Sequence, residues 1–177
     1  STFFGNSVKV TLLSVAGEVF TSSLAAYAFA KIKFKGRDVI FLIYLSTLAF
    51  PAQMMLIPRF TLFRTIGLYN THWALILPGM FTAFGTFMLR QFFMSIPEEL
   101  SESAKIDGAN HFTIFSKIIL PLAVPAFSAL IIFQFVSSWN EYESALVYIR
   151  SKELATIPLG LNFFKDENAS SYGAIMA

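Results

Sequence analysis

The sequence predicts an all-α fold: a polytopic transmembrane helical bundle with a short cytoplasmic helix set between two of its spans. Three observations carry this. The 177 residues are 55% hydrophobic and only 14% charged, against about 25% charged in a soluble domain. Four stretches are apolar over the roughly 20 residues that a spanning helix needs. Between the third and fourth lies a stretch of opposite character, Gln91 to Lys117, dense in charge and helix-end signals.

Taken in order, the spans are Val8 to Ala30, which contains Glu18; Val39 to Ile57, without charge; Trp73 to Leu89, flanked by His72 and Arg90; and Ile118 to Trp139, also uncharged. Another begins near Tyr172. Pro51, Pro78, Pro121 and Pro125 lie in or beside these runs, where neighbouring helices can satisfy the carbonyls that proline frees. Orientation follows from KIKFKGR, Lys31 to Arg37, four cations in seven residues. The positive-inside rule makes that loop cytoplasmic. Pro58 to Asn70 then lies outside, Gln91 to Lys117 inside, and Asn140 to Ser171 outside. The outer segment contains LATIPLGLNFF, too short to span and read as re-entrant or interfacial. The chain is read as one transmembrane domain over 1–177, a fragment cut at both ends.

The inner stretch has its own grammar. Ser95 and Glu98 have capping-box spacing, and Pro97 suits a first turn. Leu100, Ala104 and Ile106 are expected to make apolar contacts, with Glu98, Glu99, Glu102 and Lys105 in water. Gly108 breaks the helix, because glycine adopts a left-handed turn without a Cβ penalty. A second helical run, Asn110 to Ile119, sets Phe112, Phe115 and Ile118 or Ile119 on one face before Leu120-Pro121 re-enters the bilayer. From pattern alone this is either a solvated surface loop or a helix that docks in a partner's groove.

Glu102-Ser-Ala-Lys-Ile-Asp107-Gly108-Ala, followed by Ile118-Ile-Leu120-Pro121, resembles the EAA motif of ABC importer permeases, with Ser103 where that family usually has alanine. Ser22 to Lys31, Phe84 to Phe93, Ser138-Trp-Asn-Glu141 and Thr156 to Gly160 are similar to the carbohydrate-uptake, maltose-type branch. The resemblance implies a permease of roughly six spans, here lacking the first and most of the last. It implies a second permease subunit, a heterodimer, surrounding lipid, and an extracytoplasmic sugar-binding protein. It further implies a cytoplasmic ATPase dimer that holds the ATP and Mg²⁺, with no cofactor on this chain. The place is the plasma (inner) membrane of a bacterium or archaeon, crossed several times. Glu102, Ser103, Ala104, Asp107, Gly108, Leu120 and Pro121 would form the coupling loop, with Glu102, Ser103, Ala104 and Gly108 against the ATPase. Which sugar, polyol or glycerol phosphate is carried stays open.

Two further sets are candidates for lining a pathway. Glu18 shares a helical face with Thr11, Ser14, Ser22 and Ala25, which is either a small-residue packing seam or a polar lining. Gln134, Ser137, Ser138 and Asn140 run along the outer half of the fourth span, either to bond neighbouring helices or to meet a sugar. Catalytic signals are not found. There is no GxxxxGK[ST] phosphate loop, so ATP hydrolysis belongs on another subunit. There is no serine or cysteine triad and no metal cluster. His72 and His111 are lone and read as non-ligands. With no cysteine there is no disulfide, and the net charge of +2 is spread along the chain, unlike a nucleic-acid surface. The competing readings are an ATPase-independent secondary transporter or channel, against which Glu18 is the single clear intramembrane ionisable group, and an integral membrane enzyme.

Overall fold

The computed structural model describes residues 2–167, so the span expected from Tyr172 lies outside the described residues. Those residues form two compact units woven from alternating stretches of chain: one holds residues up to Val15, Pro51–Gly79 and Phe135 onward, the other Ala16–Phe50 and Met80–Gln134.

Two helices are long and apolar enough to cross a membrane unbroken. The first is α1, Thr2–Lys31, six residues longer at its start than the apolar run suggests. Asn6, Ser7 and Lys9 do not end it, because polar residues cost a helix little once its backbone is already paired. The second covers Trp73–Ser95 as α4 (Trp73–Met80) and α5 (Ala83–Ser95). It runs six residues past Leu89, and it is interrupted at Phe81–Thr82.

The expected straight span from Val39 to Ile57 is corrected. α2 (Arg37–Ser46) gives way to 3-10 turns at Thr47–Ala49 and Ala52–Met55, and α3 (Leu56–Thr65) follows. The cause is Pro51, which lacks an N–H and pushes Phe50 into extended backbone (φ −84°, ψ 119°). Pro58 sits in the first turn of α3, where no N–H is needed, so much of the stretch read as an outer loop is helical.

In the second unit α6 (Glu98–Ile106), α7 (His111–Ile114), a π turn at Phe115–Ile119 and α8 (Leu120–Leu122) follow α5. The path then bends by 75° at Ala123 into α9 (Val124–Trp139). Pro121 supplies no N–H to the turn before it, and that turn widens. The core here is Ala26, Tyr27, Leu89, Phe93, Ile114, Phe115, Ile119, Ala123 and Leu130. Arg90 closes its edge: Nε donates to Phe29 O (3.2 Å), Nη2 reaches Asp38 Oδ1 (3.1 Å), and the guanidinium lies 4.0 Å over the Phe41 ring.

In the first unit α10 (Glu143–Tyr148) and α11 (Ile157–Glu167) bury Ala145, Ile149, Ala155 and Leu159 beside Phe3. Tyr148 packs edge-on against Phe63, with centroids 5.2 Å apart. LATIPLGLNFF thus begins as loop and becomes α11. Asn70 holds a left-handed conformation (φ 58°) and clasps the 148–151 backbone.

Candidate coupling surface and buried polar row

α6 starts at Pro97, the N-cap residue, and no side chain caps it. The expected capping box is therefore corrected. Ser95 is the last residue of α5, and its hydroxyl donates to Phe92 O (2.7 Å). Glu98 and Glu99 occupy the first turn and Lys105 the last, the order that suits the helix dipole. Gly108 (φ 83°) ends it. Gly108 N donates to Lys105 O (3.0 Å) and Ala109 N to Ala104 O (2.9 Å). This is a Schellman termination, which needs a left-handed residue. Asn110 then caps α7, its side chain accepting from Thr113 N (2.8 Å) and Thr113 Oγ1 (3.0 Å). The Asp-Gly-Ala-Asn run is thus a C-cap followed directly by an N-cap.

Two lysines secure the start of α6. Lys31 Nζ donates to Ile96 O (2.7 Å), and Lys33 Nζ lies 3.0 Å from Glu98 Oε1. Lys33 holds the Glu98 carboxyl below its ordinary value of 4.5, and Glu98 raises Lys33 in return. What the pair contributes is therefore present above pH 4.5 and fades as pH falls through the lowered Glu98 value. In an NMR titration of the Glu98 carboxyl, Lys33→Met is expected to move the midpoint up toward 4.5; an unmoved midpoint would remove the pair from the account.

Of the residues read as the coupling loop, Glu102, Ser103, Asp107 and Gly108 are exposed and adjoin one another, and Ala104 is half-buried. Leu120 packs against the core, and Pro121 is exposed in α8, before the bend. The expected inward role of Leu100 and Ile106 is corrected. They are 43% and 87% exposed, Phe112 is 74% exposed, and the buried residue of α6 is Ser101. Large apolar side chains thus stand outward among the charges, a feature the sequence reading missed by assuming that apolar residues turn inward.

A second constellation lies along α1. Ser7, Thr11, Ser14, Glu18 and Ser22 are each 1% exposed; Ala25 is half-buried. Ser7 Oγ accepts from Ile157 N (2.8 Å). The Glu18 carboxylate accepts from the Thr82 hydroxyl, and Thr21 donates to Met80 O. Glu18 and Thr21 therefore serve polar groups at the break between α4 and α5, as a discontinuous membrane helix requires. Thr82 also caps α5, accepting from Gly85 N (3.1 Å). Gly85 has no room for a side chain: a Cβ there would stand 2.7 Å from Glu18 Oε1 and 2.8 Å from Ser22 Oγ. Gly85→Ala is expected to cost about 1–3 kcal/mol of stability, and Glu18→Ala in the same chain to recover part of it. Strict additivity of the two in a denaturation cycle would dissolve the contact. Thr82 and Gly85 escaped the sequence reading; the one signal was a threonine just ahead of an apolar run.

Gln134 and Ser138 are half-buried, Ser137 and Asn140 exposed. Asn140 Nδ2 bonds back to Val136 O (2.8 Å). Trp139 stacks on Phe135 with centroids 5.5 Å apart. His72 Nε2 lies 3.1 Å from Leu154 O, and His111 Nδ1 lies 3.1 Å from the Tyr27 hydroxyl. Among the described residues no three His, Cys, Asp or Glu could share a metal.

Apolar helices of spanning length, interrupted within one run, with a doubly capped helix pair beside a basic loop, define the membrane subunit of an ABC-type importer. Residues 19–177 match the family described as binding-protein-dependent transport system inner membrane component, and the chain belongs to it. It is similar to the probable ABC transporter permease protein YurM of Bacillus subtilis, 37% identical over 100% of this chain and 60% of that protein. It is also similar to the arabinooligosaccharides transport system permease protein AraQ of Halalkalibacterium halodurans (37%, covering 99% and 63%) and the lactose transport system permease protein LacG of Rhizobium radiobacter (35%, covering 98% and 63%). A crystal structure of a bacterial ABC transporter involved in the import of the acidic polysaccharide alginate superposes with a TM-score of 0.83 at 32% identity, over 97% of this chain and 60% of that one. The chain thus spans about three-fifths of the length of these relatives.

Proposed function

We propose that this chain is the larger part of a permease subunit in an ATP-driven, binding-protein-dependent sugar importer. It crosses the inner membrane several times, pairs with a second permease, and receives solute from an external binding protein. The α6–α7 element, residues 98–114, is its contact to a separate ATPase dimer, where ATP and Mg²⁺ act. The observation that carries this is the outward side of that element. A helix fixed at both ends carries small residues, Ser103 and Gly108, beside the exposed Ile106 and Phe112. Such a surface suits a groove that takes a rigid helix. Glu102, Ser103, Ala104, Asp107 and Gly108 belong to the contact, whereas Leu120 and Pro121 shape the turn behind it. The α1 row is a packing seam rather than a solute lining, because its members are closed within this chain.

The test is a disulfide crosslink in the full-length complex, which this cysteine-free stretch makes clean. Ser103→Cys is expected to crosslink to cysteines lining the ATPase groove in an ATP-dependent way. Thr65→Cys, on the reading a residue of the opposite side, is expected to stay silent. An accessible Cys at position 103 that never crosslinks in the intact complex would favour an ATPase-independent carrier.

A further inference from the structure

We propose that the loop joining α1 to α2 binds the anionic head group of a membrane phospholipid, whose acyl chains lie along α2. The inference rests on the cytoplasmic placement of this loop, and not on any contact to an ATPase.

The loop is folded around an open cavity of about 650 Å³ whose lining includes Lys33, Phe34, Lys35, Arg37 and Val39. Three cations on one concave surface match a phosphodiester, which offers several acceptor oxygens at once. Lys35 is exposed and makes no ion pair among the described residues. Arg37 pairs with Asp38 (3.2 Å), but that same carboxylate is also held by Arg90 (3.1 Å). Lys33 pairs with Glu98, the two side chains being 79% and 54% exposed. Exposed pairs of this kind contribute little, so a phosphate can recruit Arg37 and Lys33 without undoing the fold.

The apolar half of the site decides between a lipid and a free phosphate. Val39, Leu42 and Ile43 are 61%, 64% and 65% exposed and follow one another at helical spacing along α2, starting at the cavity rim. Phe34 is 40% exposed within the loop. A soluble phosphate would leave that stripe in place and unused, whereas a phospholipid fills head-group site and stripe together. Juxtamembrane cations are each attracted to an anionic leaflet by an energy equivalent to about fivefold in affinity. The Lys33–Glu98 pair gives the site a second consequence: a lipid phosphate that draws on Lys33 sits one ion pair away from the start of α6.

The test uses the full-length chain with its partner subunits, in nanodiscs of phosphatidylcholine containing a minority of phosphatidylglycerol. Lipids that stay bound after detergent extraction are counted by native mass spectrometry. Lys35→Gln is expected to weaken phosphatidylglycerol retention about fivefold and Lys35→Glu more, with Lys35→Arg restoring it and phosphatidylcholine unchanged throughout. Because Lys35 holds no partner in the fold, these variants are expected to keep wild-type melting temperatures. Equal retention in wild type and Lys35→Glu would overturn the proposal. So would glycerol phosphate displacing the lipid at comparable concentration, which makes the site one for a free anion. Protection of Lys35 from acylation by the ATPase subunits in lipid-free detergent would assign the loop to a protein contact instead.

Discussion

Asn70→Ala is expected to destabilise the folded chain by about 2–4 kcal/mol, more than any other single change discussed for the outer elements. Two losses combine. Asn70 sits at φ 58°, a region that costs an alanine about 1–2 kcal/mol and that asparagine tolerates. Its side chain also does the work of a short strand. Oδ1 accepts from Arg150 N (2.8 Å) and Ser151 N (2.9 Å), and Nδ2 donates to Ser151 Oγ (2.8 Å). Its own N–H donates to Tyr148 O (2.9 Å), which substitution leaves intact. Each lost side-chain bond is worth about 0.5–1.5 kcal/mol net. The three replacements should therefore rank. Asn70→Asp keeps the acceptor and loses least; Asn70→Gly relaxes the backbone but loses the bonds; Asn70→Ala suffers both. Thermal unfolding in detergent reads the series. If alanine and glycine melted together, the left-handed conformation would not be limiting.

Phe112→Asp is expected to cut ATP-driven uptake by the full transporter at least tenfold while leaving the permease folded. The side chain is 74% exposed, so its loss opens no cavity. On the proposed reading the ring is buried in the ATPase groove, where a fully buried Phe is worth about 1.5–3 kcal/mol, and 1.4 kcal/mol is already tenfold. A carboxylate would also have to enter that apolar site. Phe112→Leu should keep most of the activity, and Ile106→Asp should mimic the aspartate at position 112. Uptake and ATP hydrolysis measured together in proteoliposomes would decide. Wild-type uptake in both aspartate variants would mean that the outward apolar residues of α6 and α7 have no partner.

Much of this could be read from residue order, because the bilayer imposes so narrow a grammar. Uncharged runs near 20 residues, the Lys31–Arg37 cations and the Asp107-Gly108 terminator each report a local requirement, and each local requirement has a local signature. The row through Thr11, Ser14, Glu18 and Ser22 was visible by helical spacing. What stayed hidden is pairwise and distant. Nothing near Glu18 names Thr82, 64 residues on, as its hydrogen-bond donor. Nothing in KIKFKGR says that Lys33 meets Glu98. The Ser95–Glu98 spacing looked like a cap because the continuation of α5 to Ser95 is decided by packing of Leu89, Arg90 and Phe93. Proline positions were plain, yet their outcomes differ: Pro78 lies inside α4, whereas Pro51 ends a run.

The π turn at Phe115–Ile119 makes this part of the molecule a matter of counting rather than of chemistry. Such a turn carries one residue more than an α turn. Removing any one of Ser116, Lys117 or Ile118 would let the backbone revert to α-helical winding, and everything after it would rotate by about 100°. Ala123, Ala126 and Leu130, now buried, would swing out of the core, and exposed neighbours such as Val124 and Ile131 would swing toward it. The stretch should therefore absorb many exchanges of one side chain for another and fail on a three-nucleotide deletion, behaving like a gear that has slipped one tooth.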